Sequence, residues 1–78
     1  MKVVEHLRVV QYLESRGLIK QYQKAKSFIE HGLFASVQLR KRKPKSSGIW
    51  YFRVTKKYRA LCTWENDTLI VFTIDDHQ

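Results

Sequence analysis

The chain has 78 residues, of which 44% are hydrophobic and 28% are charged. This length predicts one domain, residues 1–78, and the composition excludes intrinsic disorder. The single cysteine, Cys62, excludes an internal disulfide and suits a reducing compartment, and we read it as a small core residue. No apolar run is long enough to span a bilayer, so we expect a soluble cytoplasmic protein that binds no membrane.

Charge is distributed unevenly along the chain. The formal net charge is +8, and residues 31–64 contain basic side chains but no acidic ones. A field of one sign over almost half of the chain attracts polyanions, of which nucleic acid is the commonest. The composition therefore predicts a nucleic-acid partner.

Two helices are predicted at the start of the chain. Apolar residues at helical spacing predict the first helix from residue 5 or 7 to residue 16, followed by Gly17 as its cap. The second is predicted over residues 18–30. Because Gly17 is the whole connection, we expect a tight helical hairpin. The pattern leaves open whether residues 1–6 add a first strand.

After Gly32 the apolar period changes to two, which predicts strands. We interpret "FASVQLR" (34–40) as a short strand and "KRKPKSSG" (41–48) as a loop. Three further strands joined by tight turns are predicted at 49–55, 58–65 and 68–74. The predicted fold is α+β, with an N-terminal helical hairpin packed on a three- to four-stranded antiparallel sheet.

The stretch "FRVTKKYRALCTW" (52–64) places Arg53 and Arg59 on either side of a predicted turn. If residues 55–57 form a three-residue loop, the two arginines face each other on one side of the sheet; a two-residue loop would separate them. Facing like charges destabilise a strand pair, and a phosphate bound between them would account for both. Alternatively, each arginine pairs with a carboxylate, from Asp75, Asp76 or Glu65.

In the next hairpin, a turn at residues 66–67 pairs Glu65 with Thr68. Strict alternation then puts Ile74 beside Arg59 and Phe72 beside Leu61. The predicted arginine side of the sheet holds Tyr51, Arg53, Arg59, Leu61, Ile70, Phe72 and Ile74. The predicted opposite side holds Trp50, Phe52, Ala60, Cys62, Trp64, Leu69 and Val71. One helical hairpin covers only one apolar face, so the arginine side is expected to be a partner surface or a groove suited to RNA.

The order of these elements, the "SGIW" stretch at 47–50, the hairpin at 52–64 and the terminal "IDDHQ" resemble the RelE/ParE toxin superfamily, with the YoeB and HigB branches closest. The resemblance covers residues 18–78. Members are toxins of bacterial toxin–antitoxin pairs. Many cut mRNA in the ribosomal A site without a metal, whereas the ParE branch poisons DNA gyrase.

The resemblance implies catalytic roles for Arg53, Arg59 and His77. The arginines would hold the scissile phosphate, and His77 would take or give a proton while the RNA 2′-hydroxyl attacks. We further predict RNA contacts, chiefly to phosphates, from Arg40, Lys41, Arg42, Lys43, Lys45, Tyr51, Lys56 and Lys57. No metal or other cofactor is expected.

Two features depart from the YoeB pattern. Such toxins carry a carboxylate near the loop before the "SG" pair and a tyrosine after the terminal histidine, whereas here the loop has no acid and the last residue is Gln78. Two alternatives follow. Either loop lysines such as Lys41, Lys43 or Lys45 take the place of the missing carboxylate, or the general base is Asp75, Asp76 or His77. Strict alternation puts Asp76, not His77, on the arginine side, which requires the strand to end or bulge after Ile74.

The resemblance thus implies a toxin that cuts mRNA on the ribosome and is neutralised by an acidic, partly apolar antitoxin. Two alternatives stay open: a ParE-like gyrase inhibitor without nuclease activity, and a basic RNA-binding module without catalysis.

Overall fold

Two α-helices and five strands make up residues 1–76, the part of the chain that the computed structural model describes. The helices are α1, Leu7–Ser15, and α2, Ile19–Glu30. The strands are β1, Lys2–Glu5; β2, Arg40–Lys41; β3, Trp50–Arg53; β4, Tyr58–Glu65; and β5, Thr68–Asp76. His77 and Gln78 lie outside the described residues.

The strands form one mixed sheet in the order β1-β5-β4-β3-β2. Strands β2 to β5 pair antiparallel with one another, while β1 runs parallel to β5, with Val3 beside Leu69. The α+β prediction is confirmed. The sheet has one strand more than predicted because the first residues, left open by the sequence pattern, pair with the last strand.

The two helices pack on one side of this sheet. Gly17 takes a left-handed conformation at φ 68°, and the amide of Leu18 donates to the carbonyl of Leu13 at 2.8 Å, which closes the predicted helical hairpin. The core between helices and sheet contains Val3, Val9, Leu13, Leu18, Tyr22, Ala25, Ile29, Val37, Phe52, Ala60, Cys62, Leu69 and Val71. Burial in this core raises the pKa of the Cys62 thiol to about 12, as suits a packing residue.

The strand predicted over residues 34–40 is wrong. Phe34–Val37 form a turn of 3-10 helix, and only Arg40 and Lys41 pair with β3. Phe34 and Val37 are three positions apart, so both reach the core from one face of that turn. A short apolar run fits a helical period as well as an alternating one, which explains the error. Gln38 ends the turn at a left-handed φ of 53°.

Candidate nucleic-acid interface

The β3–β4 hairpin brings the two arginines together, as expected for a three-residue loop. Arg53 and Arg59 are partners in the antiparallel register. The amide of Val54 donates to the carbonyl of Tyr58 at 3.0 Å, so residues 55–57 form the three-residue loop. The hydroxyl of Thr55 accepts the amides of Lys57 and Tyr58, both at 3.2 Å, which stabilises the turn.

The β4–β5 hairpin begins in the predicted register and then departs from it. Glu65 pairs with Thr68, and alternation holds as far as Cys62 and Val71. The next pair is Leu61 with Thr73, so Phe72 is an extra residue that forms a β-bulge.

The bulge reverses the parity of the last residues of β5. Ile74 pairs with Ala60 and packs against the core under the helices. Asp75 pairs with Arg59, and Asp76 pairs with Tyr58. The predicted pairs Ile74–Arg59 and Phe72–Leu61 are therefore wrong, as is the placement of Asp76 rather than Asp75 on the arginine side. The physical reason is that one extra residue exchanges the two faces of everything after it.

Arg59 has two close partners on the arginine side of the sheet. Its Nη2 donates to Oδ2 of Asp75 at 3.0 Å, so the alternative in which an arginine pairs with Asp75 is confirmed for Arg59. Its guanidinium also lies over the ring of Tyr51, 4.7 Å from the ring centroid. These contacts hold the planar guanidinium in one orientation.

One donor of Arg59 is left unsatisfied. Its Nε is buried and has no hydrogen-bond partner within residues 1–76. An unpaired buried N–H costs roughly 1–3 kcal/mol, and charged groups cost more.

A cavity of about 250 Å³ opens beside the arginine pair. Its lining residues are Gln38, Tyr51, Arg53, Thr55, Lys56 and Arg59. Four of these were predicted site residues. Sequence reasoning missed Gln38 because it was assigned to a strand, and missed Thr55 because it was read only as part of the turn.

The other predicted RNA contacts lie outside this cavity. Arg40, Lys41, Arg42, Lys43 and Lys45 are exposed, on β2 and in the following loop. Arg40 pairs with Tyr51, so the edge strand β2 extends a positive surface from the arginine side. Lys57 instead forms an ion pair with Asp76 at 3.8 Å and lies over the ring of Tyr58.

A second cavity, of about 370 Å³, adjoins the first through Arg53. It lies between α2, the turn at Phe34–Val37 and the β3–β4 loop, and combines apolar residues such as Phe28 and Val54 with the charges of Lys24 and Arg53. Sequence reasoning missed it because residues 34–40 were read as a strand.

The predicted catalytic His77 lies outside the described residues. Within residues 1–76, no three His, Cys, Asp or Glu side chains are grouped as a metal ion would need. Neither helix in this part of the chain is long and apolar enough to cross a membrane.

Comparison with solved structures identifies the class of fold as that of the RelE/ParE toxins, as the sequence resemblance implied. The archaeal RelE–RelB complex from Pyrococcus horikoshii matches with a TM-score of 0.72 and 15% identity, over 96% of this chain and 92% of that one. The YoeB–YefM toxin–antitoxin complex from Staphylococcus aureus matches with a TM-score of 0.67 and 14% identity, over 100% and 98%. The YoeB/ParE toxin from Agrobacterium tumefaciens matches with a TM-score of 0.63 and 19% identity, over the full length of both chains.

At these identities the likeness shows a shared fold. No protein-family model matches the sequence, and neither does any curated protein.

Proposed function

We propose that this protein is the toxin of a toxin–antitoxin pair and that it acts as a ribosome-dependent, metal-independent mRNA endonuclease. The observation that carries the proposal is the facing pair of Arg53 and Arg59, set beside Tyr51 in a cavity on a RelE/ParE fold. The exposed basic loop next to it supplies affinity for RNA without base specificity.

The arginine pair would bind the scissile phosphate. Arg59 is already oriented by Tyr51 and Asp75, and it lines the cavity in which the phosphate would bind. Arg53, its partner across the strands, would bind a second oxygen. The two guanidinium groups would stabilise the negative charge that builds up on the phosphoryl oxygens in the transition state.

Asp75 is the acidic side chain that fits the role of general base. It lies on the arginine side of the sheet opposite Arg59, whereas Asp76 lies on the other side, opposite Tyr58. Asp75 would take the proton of the 2′-hydroxyl as that oxygen attacks phosphorus. The bond from phosphorus to the 5′-oxygen then breaks, and His77 would donate a proton to the leaving oxygen. The products are a 2′,3′-cyclic phosphate and a free 5′-hydroxyl.

An antitoxin would be recognised by charge and apolar contact together. The 370 Å³ cavity places Lys24 and Arg53 at an apolar surface, and the whole chain carries +8. An acidic segment with apolar side chains would fill this cavity and cover Arg53, which also lines the site proposed for RNA.

Expression in bacteria tests the proposal. Wild-type protein should arrest growth and produce cleaved mRNA, and Arg53→Ala, Arg59→Ala and His77→Ala should each relieve both effects. Arg16→Ala is the matched control, because this arginine, directly after α1, is exposed and lies over the ring of Tyr12. Undiminished mRNA cleavage in the Arg53 and Arg59 variants would contradict the proposal.

The same expression experiment distinguishes the nuclease from the two alternative functions. One similar structure carries the names of both YoeB and ParE toxins. A gyrase inhibitor would produce DNA breaks and an SOS response with mRNA left intact, and a simple RNA-binding module would produce neither cleavage nor DNA breaks.

A further inference from the structure

The β-bulge at Phe72 decides which side chain faces Arg59. In the observed register Asp75 pairs with Arg59. Without an extra residue at position 72, the pairing of Cys62 with Val71 would continue to Ile74 opposite Arg59. Asp75 would then lie on the side of the sheet that the helices cover.

The bulged residue is held from outside the hairpin. Nε of Arg8, in the first turn of α1, donates to the carbonyl of Phe72 at 3.0 Å, across 64 positions of sequence. Phe72 has no partner on β4 in the described register. Because a bulge interrupts the ladder, its backbone groups need other partners, and the Arg8 guanidinium supplies one.

The position of the bulge is bounded on its other side by β1. The pairing of β1 with β5 ends at Glu5 and Val71, directly before the bulge, and the amide of His6 adds a bond to the carbonyl of Val71 at 3.1 Å. Val9, next to Arg8, is 1% exposed, so α1 is anchored in the core. The N-terminal segment therefore holds both Val71 and Phe72 in place.

We propose that Arg8 is a positioning residue that fixes the bulge at Phe72 and thereby sets Asp75 against Arg59. The effect of Arg8 on the strand register does not depend on the proposed function. Its consequence for RNA cleavage rests on the proposed function.

NMR of the full-length protein tests whether Arg8 sets the strand register. Wild-type protein should show contacts between backbone protons of Arg59 and Asp75. In Arg8→Ala these contacts should weaken and contacts between Arg59 and Ile74 should appear. Arg16→Ala, which removes the same charge directly after the same helix, should keep the wild-type contacts.

Deletion of Phe72 provides a specific rescue. Removing this residue lets Val71 be followed directly by Thr73, so strict alternation alone pairs Asp75 (wild-type number) with Arg59. Arg8→Ala combined with the deletion should therefore show the Arg59–Asp75 contacts. If Arg8→Ala fails to fold, recovery of folding in the combined variant supports the proposal.

Two results would overturn the positioning role. One is an unchanged Arg59–Asp75 contact in Arg8→Ala. The other is a combined variant that lacks this contact or stays unfolded. Neither depends on nuclease activity.

Cleavage kinetics test the consequence. We expect Arg8→Ala to lower kcat on ribosome-bound mRNA by at least about tenfold, because it displaces a proton acceptor, with little change in KM. A rise in KM with kcat unchanged would mean that Arg8 merely binds RNA. If the wild-type protein cuts no RNA, the proposed function fails, while the register result still decides the role of Arg8.

Discussion

Two hairpins of the sheet share strand β4 but differ in register: the β3–β4 hairpin is regular, and the β4–β5 hairpin contains a β-bulge. The β3–β4 hairpin alternates without interruption from its turn, and counting residues from that turn places Arg53 opposite Arg59. The β4–β5 hairpin starts as regularly and then takes up Phe72 as an extra residue. The comparison shows that a turn determines register only until another element bonds to the strand. In β5 that element is the N-terminal segment, through Arg8.

Phenylalanine truncation should distinguish the two hairpins most strongly. Phe52, in the regular hairpin, is 0% exposed, while Phe72, at the bulge, is half-buried. We expect Phe52→Ala to lower the free energy of unfolding by about 3–5 kcal/mol, as a full core cavity does, and Phe72→Ala by clearly less. Urea unfolding of the two variants measures both values, and equal losses would contradict the difference in packing.

Alkaline pH should weaken the sheet at the last regular pair before the bulge, where Cys62 meets Val71. Burial raises the folded-state pKa of the Cys62 thiol from 9.0 to about 12. Because the folded state favours the neutral thiol, its stabilisation is complete below pH 9 and is lost as the pH rises towards 12.

Unfolding measured in urea between pH 8 and pH 11 checks this dependence. The slope of the free energy of unfolding against pH should become shallower in Cys62→Ala. Buried Tyr22, whose hydroxyl donates to Glu5 and whose pKa is also raised, should leave part of the slope in that variant. Identical slopes in the wild-type and variant proteins would show that the Cys62 thiol does not contribute.

The smallest expected effect concerns the turn of the regular hairpin. Thr55→Val keeps the shape of the side chain but removes the hydroxyl that accepts two backbone amides. We expect a loss of about 1 kcal/mol in the free energy of unfolding. Thr63→Val, on β4 itself, is the matched control, since valine suits a strand. A smaller loss at Thr55 than at Thr63 would contradict the role of the turn.

Much of the fold could be predicted because its signals are local. Gly17 marks the connection between the helices, and the loop at residues 55–57 has a length that sets parity by itself. Those two features are enough to predict the helical hairpin and the facing arginines. The side of the sheet that packs on the helices was likewise predicted up to Val71.

The rest depends on contacts between distant residues. No residue type marks Phe72 as a bulge, and its partner Arg8 is 64 positions away. The choice between Ile74 and Asp75 as neighbour of Arg59 therefore could not be read from alternation. The parallel pairing of β1 with β5 joins the two ends of the described chain, for the same reason. The roles of Arg53, Arg59, His77 and the basic loop stay predictions.

We propose that Arg53 and Arg59 act as one clamp on a single phosphate. Cleavage of ribosome-bound mRNA by Arg53→Ala, Arg59→Ala and the double variant tests it directly. We expect each single change to lower kcat by at least about 100-fold, because each removes a donor to the transition state, and the double change to cost far less than the product of the two. Two results would contradict the clamp. One is a double variant whose loss in kcat equals the product of the two single losses, and the other is a single variant with the wild-type kcat.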